Sequence, residues 1–219
     1  MDRRQLIKSL TALSALSLIP GINLLGSKRL KKLHIIGLGT AGTNIAVCLK
    51  RNGIVGKYTC ITRFPSFVEP IDVSNYIKGF YHIEYDYRRE FAAKEKSVKE
   101  NQSKPLTIEM QQSLSHKHFY IILVGLGGWT GTSLIQSTLE FLKSNNKQYM
   151  AICQLPFEFD GELRKKFALV KQAEIENFKG VYFIDHQNFQ NTTSIKKLFN
   201  EADEEIYSLF RAELPKLIS

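Results

Sequence analysis

The sequence predicts an α/β fold: a parallel sheet flanked by helices, in a Rossmann-like three-layer arrangement. Three observations carry that expectation. From Lys32 onward, short β-branched runs alternate with segments of helical length. The runs are almost continuously apolar, as strands buried on both faces are. Two of them lead directly into glycine-rich loops, residues 37–44 and 125–133, where an open parallel sheet holds phosphates.

With 219 residues and 43% hydrophobic composition the chain can bury one substantial core, and one domain is expected over residues 32–219. The formal net charge of +9 suggests nucleic acid until its distribution is read. Residues 1–32 hold Arg3, Arg4, Lys8, Lys28, Arg29, Lys31 and Lys32 against Asp2 alone, which is six of the nine charges. The remainder is mildly basic, so nucleic acid is not the expected partner. Cys48, Cys60 and Cys153 form no CxxC pair for zinc or redox chemistry and read as buried thiols. His116 and His118 would share one face of an extended segment, but two ligands are too few for a structural metal and none is expected.

In chain order the first element is a leader, residues 1–31. Arg3 and Arg4, followed by Gln5, Leu6, Ile7, Lys8 and an uncharged stretch over 9–27, are similar to a twin-arginine export signal. No A-x-A cleavage site follows, and Pro20-Gly21 interrupts the apolar run. A membrane-surface anchor is a second reading, with Lys28, Arg29, Lys31 and Lys32 meeting anionic headgroups; a loosely ordered extension is a third. A nucleotide triphosphate site has little use outside the cytoplasm. The expectation is therefore a cytoplasmic domain, tethered to the membrane if the leader anchors it, with export the alternative.

Strands are expected at 33–37, 58–62, 119–124, 149–153 and 181–184, and helices at 44–51, 132–143, 161–177 and 194–211. Asn52-Gly53 stops the first helix. Residues 65–105 mix aromatics with charges and show no sustained period. They read as a hairpin or irregular insertion, followed by a charged helix over 87–101, with the aromatics as satellite core.

The first loop is a formal GxGxxG, Gly37-Leu38-Gly39-Thr40-Ala41-Gly42, followed by Thr43 and Asn44. Glycines let backbone amides approach phosphate oxygens with no Cβ in the way, and the helix N-terminus adds a favourable dipole. Taken alone, the motif fits a dinucleotide site equally well. The second strand, however, ends in Thr62-Arg63-Phe64, where a dinucleotide fold needs an acid for the ribose hydroxyls. A second loop of the same kind follows another buried strand: Gly125-Leu126-Gly127-Gly128-Trp129-Thr130-Gly131-Thr132-Ser133. One phosphate tail held between two neighbouring loops accounts for both.

The second loop resembles the tubulin/FtsZ signature GGGTGTG, with Trp129 and Ser133 standing where that signature has glycines. The first resembles the FtsZ segment IGVGGGGGNAV, with Gly37, Gly39, Gly42 and Asn44 in step. Residues 156–164, PFEFDGELR, are similar to the family's PFNFEGKKR. That likeness implies a ribose-contacting role for Asp160 and a nucleotide-contacting role for Arg164. Residues 198–204, LFNEADE, fall where the family begins its central helix with AFGAAND, which implies a guanine-reading role for Glu204 with Asp203 beside it. The physics is consistent. A carboxylate accepting from guanine N1 and N2 discriminates against adenine, while Arg164, Thr130 and Thr132 can donate to anionic oxygens.

The resemblance covers about residues 33–211 and implies a fold of tubulin/FtsZ type that binds GTP or GDP, with Mg2+ as an accompanying ion. No third glycine-rich loop of the kind that senses a γ-phosphate is visible in 65–105, and the sequence ends at Ser219, before the family's in-trans catalytic loop and second domain. The expected role is thus a nucleotide-gated adaptor or regulator of an unidentified protein partner, with no residue assigned to hydrolysis. Two alternatives stand beside it: an NADP-binding oxidoreductase using Arg63, and a pseudo-GTPase scaffold that binds no nucleotide.

Overall fold

The computed structural model describes residues 32–62, 80–84, 103–185 and 195–218. The leader, Arg63 and the helix expected over 87–101 lie outside the described residues. In chain order the elements are β1 (Leu33–Leu38), α1 (Gly39–Arg51), β2 (Lys57–Thr62), β3 (Phe80–Glu84), α2 (Ile108–Leu114), β4 (Phe119–Gly125), α3 (Trp129–Ser144), β5 (Tyr149–Gln154), α4 (Glu162–Ile175), β6 (Val181–Ile184) and α5 (Ile195–Ile218).

The six strands pair in the order β3-β2-β1-β4-β5-β6, every pair parallel. Successive residues of a strand point to opposite faces, and here both faces are apolar. On β4, Tyr120, Ile122 and Val124 pack with Met110 and Leu114 of α2, Leu134, Ile135 and Leu139 of α3, and Ala168 and Ile175 of α4. The intervening Phe119, Ile121 and Leu123 pack with Ile45, Ala46 and Leu49 of α1 and Ile206 and Phe210 of α5. The result is the expected three-layer arrangement, α1 and α5 on one face and α2, α3 and α4 on the other. Each fully buried Leu, Ile or Phe in these layers contributes about 1.5–3 kcal/mol.

Several boundaries differ from the sequence reading. α1 begins at Gly39 rather than near Asn44, and α3 at Trp129 rather than Thr132, because their glycine-rich first turns are already helical. Part of the supposed insertion is a sheet strand: β3 pairs parallel to β2, so it is not one arm of a hairpin between them. The seven-residue α2 has no counterpart among the helices expected from the sequence. It is too short to show a period, yet Thr107 caps it by accepting from the Met110 amide at 3.3 Å. Cys60 and Cys153 are buried and Cys48 half-buried, and none of the three is in a disulfide.

A polar cluster lies where the strands begin. The imidazole of His34, fully buried, shares a 2.8 Å hydrogen bond with Thr59 Oγ1. Burial, and then the charge of Lys57, depress its pKa to about 3. It therefore stays neutral at ordinary pH.

Candidate nucleotide site

A parallel sheet brings all its strand C-termini to one edge. The sheet order runs from β1 toward β2 on one side and toward β4 on the other, and a crevice opens where such a sheet reverses its winding. The two glycine-rich segments are those leaving β1 and β4, which pair directly. Gly39, at φ +70°, turns the chain from β1 into α1 in a backbone shape that glycine adopts at little cost.

The segments touch. A β-carbon built on Gly39 would lie 3.1 Å from the Gly131 amide nitrogen, one on Gly131 would lie 3.0 Å from the Leu38 carbonyl oxygen, and one on Gly125 would lie 2.5 Å from Ala41 Cβ. The first turns of α1 and α3 accordingly open side by side. Neither is closed by its own sequence. Their N-caps, Leu38 and Gly128, supply no side-chain hydrogen bond, and neither first turn carries an acid. α2, by contrast, has the Thr107 cap and Glu109 in its first turn. An uncapped helix start presents amides without intrahelical partners and a partial positive charge. Two such starts in contact make a place for an anion.

The other expected residues sort by what they touch. A β-carbon on Gly42 would lie 2.1 Å from the Leu123 carbonyl oxygen, and one on Gly37 would lie 2.7 Å from the Gly42 carbonyl oxygen. These two glycines let α1 lie flush against β1 and β4. Thr43 Oγ1 donates to the Gly39 carbonyl at 2.8 Å and Ser133 Oγ to that of Thr130 at 3.1 Å, so both hydroxyls serve their own helical turns. Thr132 Oγ1 is buried and has no hydrogen-bond partner among the described residues. Thr40, Ala41 and Asn44 are exposed and Thr130 is half-buried. Gly128 faces open space, its nearest prospective neighbour being the Gly125 carbonyl oxygen at 3.9 Å.

α4 stands against the second loop. A β-carbon on Gly127, at φ +85°, would lie 2.6 Å from the Arg164 carbonyl oxygen. Arg164 Nη1 donates to Asp160 Oδ1 at 3.0 Å, while Asp160 Oδ2 accepts from the Phe157 amide at 2.9 Å. The guanidinium side chain is largely exposed. Trp129, 40% exposed, meets Phe167 of α4 edge-on with ring centroids 6.0 Å apart. The second loop, Asp160 and Arg164 thus form one neighbourhood.

Asp203 and Glu204 are carried by α5 between the buried Ala202 and Ile206. Glu204 is exposed; the side chain of Asp203 lies outside the described residues. The next residue, Glu205, has its pKa raised by burial and then by the charge of Asp185, which follows the C-terminal end of β6. That interaction places this turn of α5 near the same edge of the sheet as the loops.

One supporting group is not legible in the sequence. Lys171 of α4 is 1% exposed. Its ammonium donates to Ser103 Oγ at 3.0 Å and Gln136 Oε1 at 3.3 Å, and pairs with Glu174. The Lys104 amide donates to the Ser133 carbonyl at 2.8 Å. Together these bonds tie residues 103–104 to α3 and α4 behind the second loop. A lysine in an amphipathic helix ordinarily reads as solvent-facing, and nothing in its spacing marks it as buried.

No protein-family model matches the chain. Two curated relatives do, each a cell division protein FtsZ. The chain is 26% identical to that of Mycoplasmopsis pulmonis over 149 residues, 68% of this chain and 37% of the relative. It is 25% identical to that of Aquifex aeolicus over 179 residues, 78% of this chain and 48% of the relative. The chain therefore spans less than half the length of the curated relatives it matches. Among solved structures, an empty FtsZ dimer of M. jannaschii superposes with TM-score 0.58 at 19% identity, covering 94% of this chain and 59% of that one. A GTPγS-form protofilament of Bacillus thuringiensis TubZ gives 0.58 at 19% identity, covering 83% and 55%.

Proposed function

We propose that this chain is a divergent tubulin/FtsZ-like domain and that it binds the phosphates of a guanine nucleotide, GTP or GDP, between the α1 and α3 N-termini. One observation carries the proposal: two helix starts, both uncapped and free of first-turn acids, meet at Gly39 and Gly131. The tail lies across Thr40, Ala41, Gly128 and Thr130. The base reaches Glu204, whose carboxylate selects guanine. Mg2+, as an accompanying ion, would neutralise charge on the phosphates.

Binding gates the surface through α4. Arg164 holds Asp160 at 3.0 Å, and a phosphate near the second loop competes for the guanidinium. When Arg164 turns to the anion, Asp160 becomes available to a ribose hydroxyl and the start of α4 rearranges. That rearrangement is what an unidentified protein partner reads, in keeping with an adaptor or regulator in the cytoplasm. The test is thermal unfolding with GDP, GTP, ATP or NADPH. At a ligand concentration a hundred times Kd, binding adds about 2.7 kcal/mol, which for a domain of this size raises Tm by about 5–10 °C. Stabilisation by GDP and GTP is expected. Stabilisation by NADPH alone would overturn this reading in favour of the oxidoreductase alternative, and no response to any nucleotide would favour a scaffold.

A further inference from the structure

The edge of the sheet opposite the glycine loops carries a row of lysines. β1 follows Lys32 and β2 starts on Lys57, while β4, β5 and β6 each follow a lysine two residues upstream: Lys117, Lys147 and Lys179. In a parallel sheet those positions all fall on one edge, with neighbouring strands about 4.8 Å apart. Contacts bear this out: Lys147 Nζ donates to the Ser115 carbonyl at 2.6 Å and to that of His116 at 3.2 Å, joining the segments that precede β5 and β4. Lys147 is half-buried and the other four are exposed. Glu176, just beyond α4, is the acid nearest in sequence to this row. Lysines at helix C-termini often do no more than complement the dipole, and Lys50 and Lys143 fill that role in α1 and α3. The five lysines of the row stand outside the helices.

The same edge holds an apolar point. Val55, 88% exposed, is the most exposed of the large apolar side chains among the described residues, and Lys57 lies two residues on. Its segment is fixed to the start of β1, because a β-carbon on Gly56 would lie 3.1 Å from the Leu33 carbonyl oxygen. This row of lysines with Val55 lacks the stacking aromatics and phosphate-forking arginines that typically hold single-stranded nucleic acid. It does suit the headgroup layer of a bilayer. The sequence upstream agrees: residues 9–27 carry no charge, and Lys28, Arg29 and Lys31 follow them.

The geometry points to this edge as a docking surface for an anionic lipid membrane, with Lys32, Lys57, Lys117, Lys147 and Lys179 over the headgroups and Val55 entering them. The nucleotide loops then face away from the bilayer, one strand length or about 20 Å off. Each lysine near an anionic surface strengthens binding by about fivefold.

The test is co-sedimentation of the full chain with phosphatidylcholine vesicles containing 30% phosphatidylserine, against vesicles of phosphatidylcholine alone. The triple variant Lys57→Gln, Lys117→Gln, Lys179→Gln changes only exposed side chains of this edge, and its melting temperature checks the fold. It should bind the anionic vesicles about a hundredfold more weakly, and raised salt should release the parent chain. A control removing three lysines elsewhere, Lys104→Gln, Lys165→Gln, Lys166→Gln, should bind as the parent does. Equal loss in both triples, or none in either, would overturn the proposal. So would a triple variant that loses affinity for a short RNA duplex while keeping its affinity for the anionic vesicles, which would assign the edge to nucleic acid.

Discussion

Replacing Gly128 with aspartate should move stability and nucleotide binding in opposite directions. Gly128 is the N-cap of α3, with φ −86° and ψ 157°, an extended shape in which a capping carboxylate can accept from the amides of the first turn. Space is no obstacle, since a β-carbon there would meet nothing closer than 3.9 Å. Relative to glycine an N-cap aspartate adds a few tenths of a kcal/mol, and its charge at the helix start adds about 0.3–1 kcal/mol. The nucleotide-free protein should therefore gain about 0.5–1 kcal/mol and melt about 1–4 °C higher. The same carboxylate occupies the anion's place. At about 5 Å and an effective dielectric of about 20, the repulsion from one phosphate charge is about 3 kcal/mol, or about two orders of magnitude in Kd. Differential scanning calorimetry without ligand and titration calorimetry with GDP read the two effects separately. Gly128→Asn, which caps without charge, should lose far less affinity. Unchanged GDP affinity in Gly128→Asp, or a lower melting point without ligand, would refute the assignment of this helix start to an anion.

Further outcomes follow from other parts of the structure. Gly42→Ala puts a methyl 2.1 Å from the Leu123 carbonyl oxygen; it should cost about 3 kcal/mol, seen as a lowered urea midpoint, and parental stability would show that α1 does not lie flush on β4. His34 has its pKa lowered from 6.5 to about 3 in the fold, so between those values the unfolded chain binds the extra proton. Stability should be unaffected by this group above pH 6.5 and should fall by up to about 5 kcal/mol as pH drops from 6.5 toward 3, a slope that His34→Gln should flatten in urea melts. Lys171→Met removes the ammonium that Ser103 and Gln136 share. It should cost about 1–3 kcal/mol and speed proteolysis near residue 103, whereas unaltered cleavage would make the tie unimportant.

Much of the fold was legible because its core strands are buried on both faces, which makes them continuous apolar runs such as 119–124. The exceptions have physical causes. β3 pairs with β2 alone at the sheet's edge, so Phe80–Glu84 mixes aromatics with charge and gives no such run. Helix starts slipped because glycine is a poor helix former by propensity, yet Gly39 and Gly131 sit in first turns whose positions are set by packing between the two loops. The site was legible as a pattern of types, two glycine loops and an Asp-x-x-x-Arg pair. What each glycine does was not: Gly131 looks like a phosphate contact in sequence, but a β-carbon there would lie 2.7 Å from Val124 Cγ2. Bulky replacement of Gly131 is thus a test of folding as much as of binding, and Gly128 is the cleaner probe.

The central claim is one guanine nucleotide held between two helix starts, and equilibrium dialysis of labelled GDP against the full chain tests it most directly. The prediction is saturation at one GDP per chain, displaced by unlabelled GTP but by neither ATP nor NADPH. Binding that never saturates, or that NADPH displaces while GTP does not, would contradict it.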